Sequence, residues 1–192
     1  MNGSQPTRIE GALLTELRRV PHRVLHGFRR RRAIKALRGR PRPTCLLVVC
    51  RGNICRSPFA AALLHRALSR FGVRVDSVGF TAGRPSPPDA VAAAARHDVD
   101  LCDHRSQLVT AERVRMADLI VVMDHRQRRE ICERFGRDAR DVLLLGDLDP
   151  QPNESRTIRD PVKEPRAVFE QTYARIVRCA RELAHAVTAA RA

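Results

Sequence analysis

Cys45-Leu46-Leu47-Val48-Val49-Cys50-Arg51-Gly52-Asn53-Ile54-Cys55-Arg56-Ser57-Pro58 is the stretch that decides the fold. Its first five residues form a continuous apolar run, as in a strand buried on both faces of a parallel sheet. A glycine-containing loop follows. Pro58–Phe71 then places Phe59, Leu63, Ala67 and Ala60, Leu64, Leu68 at helical spacing. The alternation continues outward: Val73–Val78 reads as a second strand, Asp89–His97 as an Ala-rich helix and Asp118–Met123 as a third, buried strand. Asp124–Phe135 reads as a helix closed by Gly136, Val142–Leu145 as a fourth strand and Arg166–Val187 as a long amphipathic helix. The pattern predicts one three-layer α/β domain, a four-stranded parallel sheet flanked by helices. In such sheets a ligand binds beyond the carboxyl end of a strand, where the loop opens a helix. Here that place follows Val49.

The chain has 192 residues, 36 Lys+Arg against 21 Asp+Glu, a net charge of +15 and 43% hydrophobic residues. These values predict one domain with its own core and exclude global disorder. No apolar run approaches the roughly 18 residues of a membrane-spanning helix. Glu16 and Arg18 follow too soon after Gly11–Leu14 for the apolar core of a signal peptide. Six cysteines without an export signal read as cytoplasmic thiols. There is no CxxC, and His22 with His26 lies in an Arg-rich stretch without cysteine, so no metal site is expected.

The charge is unevenly placed. Residues 1–43 hold twelve basic side chains against Glu10 and Glu16, a net of +10. Arg29-Arg30-Arg31-Arg32, Lys35, Arg38, Arg40 and Arg42 crowd its second half. Pro21 and Gly27 are expected to interrupt any long helix, which predicts one or two short basic helices. A stiff Pro/Arg linker follows, and the domain spans 44–192. Such an extension attracts phosphate, on an anionic membrane or on nucleic acid. The bland alternative is a solvated tail in an Arg-rich chain. Phe28 is its only aromatic for base stacking, which disfavours nucleic acid.

A Cys and an Arg six positions apart mean little alone in a chain this rich in Arg: Cys45 and Arg51 match as well as Cys50 and Arg56. The Cys45 match fails because strand residues separate the pair and cannot curl around an anion. After Cys50, Gly52 and Asn53 are residues that accept positive φ, which turns successive N–H groups inward. Pro58 suits the first turn of a helix, whose N-terminus adds partial positive charge. Cys50 is then a candidate thiolate nucleophile, and Arg56 a planar fork for two phosphate oxygens. Ser57 is either a hydroxyl donor to that thiolate or a helix cap.

Val48-Val49-Cys50-Arg51-Gly52-Asn53-Ile54-Cys55-Arg56-Ser57-Pro58 resembles the signature of the low-molecular-weight protein tyrosine phosphatases. The resemblance covers roughly residues 44–187. Val75-Asp76-Ser77, Asp100–Ser106, Asp118–Asp124, Leu144-Leu145-Gly146 with Asp149-Pro150, and Ile158-Arg159-Asp160-Pro161 follow in family order. It implies a phosphate-binding loop of Arg51, Gly52, Asn53, Ile54 and Cys55 and a phosphocysteine intermediate on Cys50. It also implies a general acid at Asp160 and no cofactor. The residues alone leave Asp147, Asp149 and Asp160 open as the acid; Asp149-Pro150 reads more simply as a turn. The resemblance further implies support of the loop by Asn53 with His104 behind it, and a redox role for Cys55 beside Cys50. Cys45, Cys102, Cys132 and Cys179 read as ordinary thiols.

The resemblance points to phosphotyrosine in proteins, or a smaller phosphomonoester, as substrate. Two departures bear on this. Val162-Lys163 stands where the family has aromatics, and Phe80 is the only aromatic in the loop after Ser77. Arg84, Arg159 and Lys163 are expected near the mouth, favouring acidic substrates. Arsenate reductase shares the fold, but usually has Ser at the position of Ile54 and late resolving cysteines; none lies between Cys132 and Cys179. A phosphoarginine phosphatase would place Thr at Ile54. A non-enzymatic anion-binding adaptor led by the extension would need neither nucleophile nor acid.

Overall fold

A computed structural model gives the fold, and the described residues are 25–190; the first half of the basic extension lies outside them. Helix α1 covers residues 25–38, followed by β1 (Cys45–Cys50), α2 (Arg56–Leu68), β2 (Arg74–Gly79) and α3 (Pro88–Ala95). Then come α4 (Ala111–Met116), β3 (Leu119–Val122), α5 (His125–Phe135), β4 (Val142–Leu144) and α6 (Arg166–Thr188). The four strands are parallel in the order β2-β1-β3-β4. The winding therefore reverses beside β1, which makes its carboxyl end the switch point where ligands bind.

Strand alternation sorts the apolar run into two cores. Leu46, Val48 and Cys50 cluster with Leu119, Val121 and residues of α2, α3 and α6. Leu47 and Val49 cluster with Ile120, Val122, Leu144, Val114 of α4 and Ile131 of α5. Asp124 caps α5 by accepting from the Gln127 N–H, and Gly136 ends it at φ 63°. Helix α4 was not legible from periodicity, because Val114 is its one buried residue; Thr110 starts it by accepting from the Arg113 N–H.

The interruption expected at Pro21 lies outside the described residues, and the one expected at Gly27 does not occur. Helix α1 runs unbroken through Gly27 to residue 38. Gly27 stands in the first described turn, and one face of the helix beyond it is covered: Leu37 is 4% exposed, and Ala33 and Ile34 pack against the same core. His26 Nε2 donates to the Asp149 carbonyl at 2.8 Å, and Arg30 pairs with Glu182 of α6. The Pro/Arg linker is also pinned. Arg40 pairs with Asp141 at 2.5 Å, Arg42 lies over the Phe71 ring and Pro43 is buried. Residues 25–43 thus pack with the domain. Among the described residues no helix is long and apolar enough to cross a membrane.

Candidate active site

Cys50 ends β1, buried at the sheet's switch point. Two donors meet its sulfur: Ser57 Oγ at 3.0 Å and the Asn53 N–H at 3.2 Å. Donors aimed at sulfur stabilise negative charge on it. Helix α2 begins at Arg56 with no side chain capping it, leaving its first N–H groups for an anion. Ser57 is therefore no cap. Its hydroxyl lies within reach of Cys50 Sγ, and the Val78 carbonyl is farther, at 3.3 Å.

Asn53 holds the loop's shape. It is fully buried with φ 48°, in the left-handed region that Asn tolerates. Its Nδ2 donates to Ser57 Oγ and Ser77 Oγ, both at 2.9 Å, and its Oδ1 accepts from the Gln107 N–H at 2.7 Å. His104 Nε2 donates to its carbonyl at 2.7 Å. Gly52, read as a second positive-φ residue, is not one; a Cβ there would sit 3.3 Å from Ile54. Gly79 matters more than the sequence revealed. A Cβ on it would lie 2.7 Å from Asn53 N, so only glycine lets β2 end against the loop.

Arg56 is 3% exposed and held from three sides. Its Nη1 donates to the Ile158 carbonyl at 3.0 Å, its Nη2 bonds the Asp160 carboxylate, and Asp124 Oδ2 lies 3.9 Å away. Its Nε has no partner among the described residues, a buried donor open to a phosphate oxygen. The Asp160 side chain is 41% exposed, facing the opening. Cys55 differs from Cys50. Burial pushes its thiol far above the ordinary value, and the charges of Cys50 and Asp160 add to this, so it stays protonated. The hydroxyl of Tyr173, a core residue stacked on Phe59, donates to the Cys55 carbonyl at 3.2 Å. Both cysteines are free.

Cys50, Cys55, Arg56 and Asp160 line a cavity of about 190 Å³, rimmed by Arg51, Ile54, Thr81, Arg84 and Val162. Phe80 is no wall of it. It packs with the α5-side core under Arg134, 5.7 Å from its ring. Of the three cations expected at the mouth, Arg84 lines it, whereas Arg159 pairs with Glu164 at 2.8 Å. Lys163 is not among the lining residues. A larger cavity of about 320 Å³ between α2 and α6 holds no nucleophile. Cys45 starts β1 at the far end of the sheet, where Arg74 donates to its sulfur at 3.3 Å and no loop surrounds it.

Asp149 proves more than a turn. It is fully buried and accepts from Arg175 Nε and Arg178 Nε, each at 3.0 Å, and from Asn153 Nδ2 at 2.7 Å. Burial raises its carboxyl pKa, but the hydrogen bonds from Arg178 and Gln151 and the two guanidinium charges outweigh that and hold it low.

Residues 45–192 match the family described as low molecular weight phosphotyrosine protein phosphatase. The probable low molecular weight protein-tyrosine-phosphatase EpsP of Ralstonia solanacearum is 41% identical over 133 residues, covering 69% of this chain and 88% of the relative. The Erwinia amylovora tyrosine phosphatase amsI superposes with a TM-score of 0.67 at 32% identity, over 74% of this chain and 92% of that one. The YwlE arginine phosphatase from Geobacillus stearothermophilus does so at 0.65 and 27% identity, over 73% and 90%. The matched span holds β1, its loop, α2 and the Asp160 segment: the chain belongs to the low molecular weight phosphotyrosine protein phosphatase family.

Proposed function

We propose that the protein dephosphorylates phosphotyrosine in proteins, and smaller phosphomonoesters, through a phosphocysteine on Cys50. One observation carries the reading: Ser57 Oγ and the Asn53 N–H converge on Cys50 Sγ, with Arg56 and Asp160 across the same small cavity. The Cys50 thiolate attacks phosphorus while the phosphorus–oxygen bond breaks, and protonated Asp160 gives its proton to the departing oxygen. Asp160, now ionised, takes a proton from water as that water attacks the phosphocysteine, and sulfur leaves as a thiolate stabilised by Ser57. Arg56 and the N–H groups of Arg51, Gly52, Ile54 and Cys55 bind the phosphoryl oxygens, while Asn53 shapes the loop with its own N–H on the sulfur. The entering phosphoryl group competes with Asp160 for Arg56, which frees the carboxyl for proton transfer.

His104 acts through the Asn53 carbonyl as a positioning residue. Cys55 is the reserve thiol that can protect Cys50 as a disulfide after oxidation. The residues supply nucleophile, charge and proton, so the route calls for no metal or cofactor. Six free cysteines and the need for a reduced Cys50 support a cytoplasmic setting. Beside its phosphorylated substrate, the basic extension meets an anionic partner, membrane or nucleic acid.

The test is metal-free hydrolysis of p-nitrophenyl phosphate at mildly acidic pH, wild type beside Cys50→Ser. Turnover should fall to background with the fold unchanged by circular dichroism. Turnover retained by Cys50→Ser overturns the mechanism.

A further inference from the structure

Helix α1 is docked by one face and, among the described residues, bare on the other. Leu37 enters the core and Ala33 and Ile34 pack against it, while His26 and Arg30 bond the domain. At 100° per residue the opposite face collects Phe28, Arg31, Arg32, Lys35 and Arg38. All five are exposed, and the four cations have no carboxylate partner among the described residues. Phe28 is 65% exposed and Leu25, on the same side, 43%. Like charges three and four residues apart repel along a helix, and an apposed anionic surface relieves that repulsion.

We infer that α1 is a docking surface for anionic lipid. This deepens the reading that the extension has an anionic partner and commits it to membrane. The apolar pair decides between phosphates. A nucleic-acid backbone gives Leu25 and Phe28 nothing to bury against, whereas a bilayer offers headgroup phosphates for the cations and acyl chains for both side chains. Docking also fixes how the enzyme lies. Helix α1 starts beside Asp149, past the carboxyl end of β4, and its linker reaches Asp141, before β4 begins. It therefore runs antiparallel to the strands along the flank of the sheet. With α1 flat on a bilayer, the mouth at the carboxyl end of β1 opens along the membrane plane. The phosphorylated segments it meets are those standing at that surface.

The full-length protein is sedimented with vesicles of phosphatidylcholine alone or with phosphatidylglycerol added. Binding should require phosphatidylglycerol and weaken with salt. An Arg31→Glu, Arg32→Glu, Lys35→Glu, Arg38→Glu variant should lose at least about a hundredfold in partitioning, given about fivefold per cation at the surface. Phe28→Ala, with charge unchanged, should lose about tenfold. Undiminished binding by the charge variant overturns the inference. So does equal binding to neutral vesicles, or a Phe28→Ala variant that binds lipid unchanged while charge reversal abolishes duplex DNA or RNA binding. Turnover of p-nitrophenyl phosphate on the same samples should stay at the wild-type level. A chain that binds vesicles without turnover would sink the catalytic reading and leave this one standing.

Discussion

Two Asp-Pro turns lie eleven positions apart in this chain, and the fold gives them opposite work. Asp149-Pro150 places its carboxylate in the interior, fully buried among Arg175, Arg178, Asn153 and the Gln151 N–H. Asp160-Pro161 leaves its carboxylate 41% exposed at the mouth, held by Arg56 and, at 3.4 Å, the Val162 N–H. The first is pinned by long arginines of α6 and ties β4 to that helix. The second shares one arginine with the site an incoming phosphate needs. A carboxyl can exchange a proton with substrate only where something can displace its partner. That difference, not the dipeptide, makes one aspartate structural and the other a candidate acid.

Substitution should separate the two roles. Asp160→Asn should lower turnover of p-nitrophenyl phosphate about 10²–10⁴-fold, as for loss of a general acid. Its urea midpoint should stay close to wild type, because the Arg56–Asp160 pair is open to water on one side. Asp149→Ala should do the reverse. Removing a buried anion leaves Arg175 and Arg178 uncompensated, a loss of about 3 kcal/mol in urea unfolding. Turnover per folded molecule should hold. If Asp149→Ala instead lost activity at full stability, the assignment of acid and strut would have to be exchanged.

The pair also differs in acid. The Asp149 carboxyl is held below its ordinary value in the folded protein. Its contribution to stability is therefore complete above the unfolded carboxylate value of ~3.9 and is lost as pH falls through the lower folded value. Urea midpoints of wild type should fall more steeply below about pH 4 than those of Asp149→Asn. Parallel slopes would mean that Asp149 titrates alike in both states.

The two turns also mark what the sequence could tell. The strands, the loop after Cys50 and the Gly136 stop of α5 follow from local pattern, because each depends on residues within a few positions. Asp149 and Asp160 look alike locally, since the arginines that separate them lie on α6 and α2, 26 and 104 positions away. Family spacing favoured Asp160, and periodicity had no means to. The family resemblance supplied His104 as a support of Asn53, but Ser77 and the Gln107 N–H were hidden for the same reason: they come from segments that only the parallel sheet brings together. Phe80 was the one aromatic candidate for a pocket wall in its loop, but the direction of its side chain depends on where β2 ends. The docking of α1 was not legible because Gly27 and the arginines dominate its composition. Buried Leu37, with Ala33 and Ile34 packed against the same core, carries the contact.

A smaller effect belongs to the donor below the acid. Ser57→Ala removes the hydroxyl that reaches Cys50 Sγ while leaving the Asn53 N–H in place. A hydrogen bond to a charged group is worth about 1.5–3 kcal/mol, so turnover should drop about tenfold to a hundredfold. Breakdown of the phosphocysteine should slow most, because the hydroxyl stabilises the departing sulfur. Rapid-quench kinetics should then show a larger burst than wild type; a vanished burst would place the effect on the first step.

The smallest effect lies at the rim around Asp160, where Arg51 and Arg84 stand and no aromatic side chain does. Exposed ion pairs are worth about 0.2–1 kcal/mol. Arg84→Ala should therefore lower kcat/KM about two- to fivefold for a phosphotyrosine peptide with acidic neighbours, and leave p-nitrophenyl phosphate unchanged. High salt should erase the difference, since the contact is open to solvent. The backbone of Arg84 is held by its own N–H to Ser106 Oγ and by its carbonyl to the Ser106 N–H, both at 2.9 Å. Truncating the side chain leaves that loop in place, so the loss reads the guanidinium charge alone. An equal loss on both substrates would mean that Arg84 meets the phosphoryl group itself. The rim would then share the work of Arg56, and the open turn at Asp160 would face a second fixed cation.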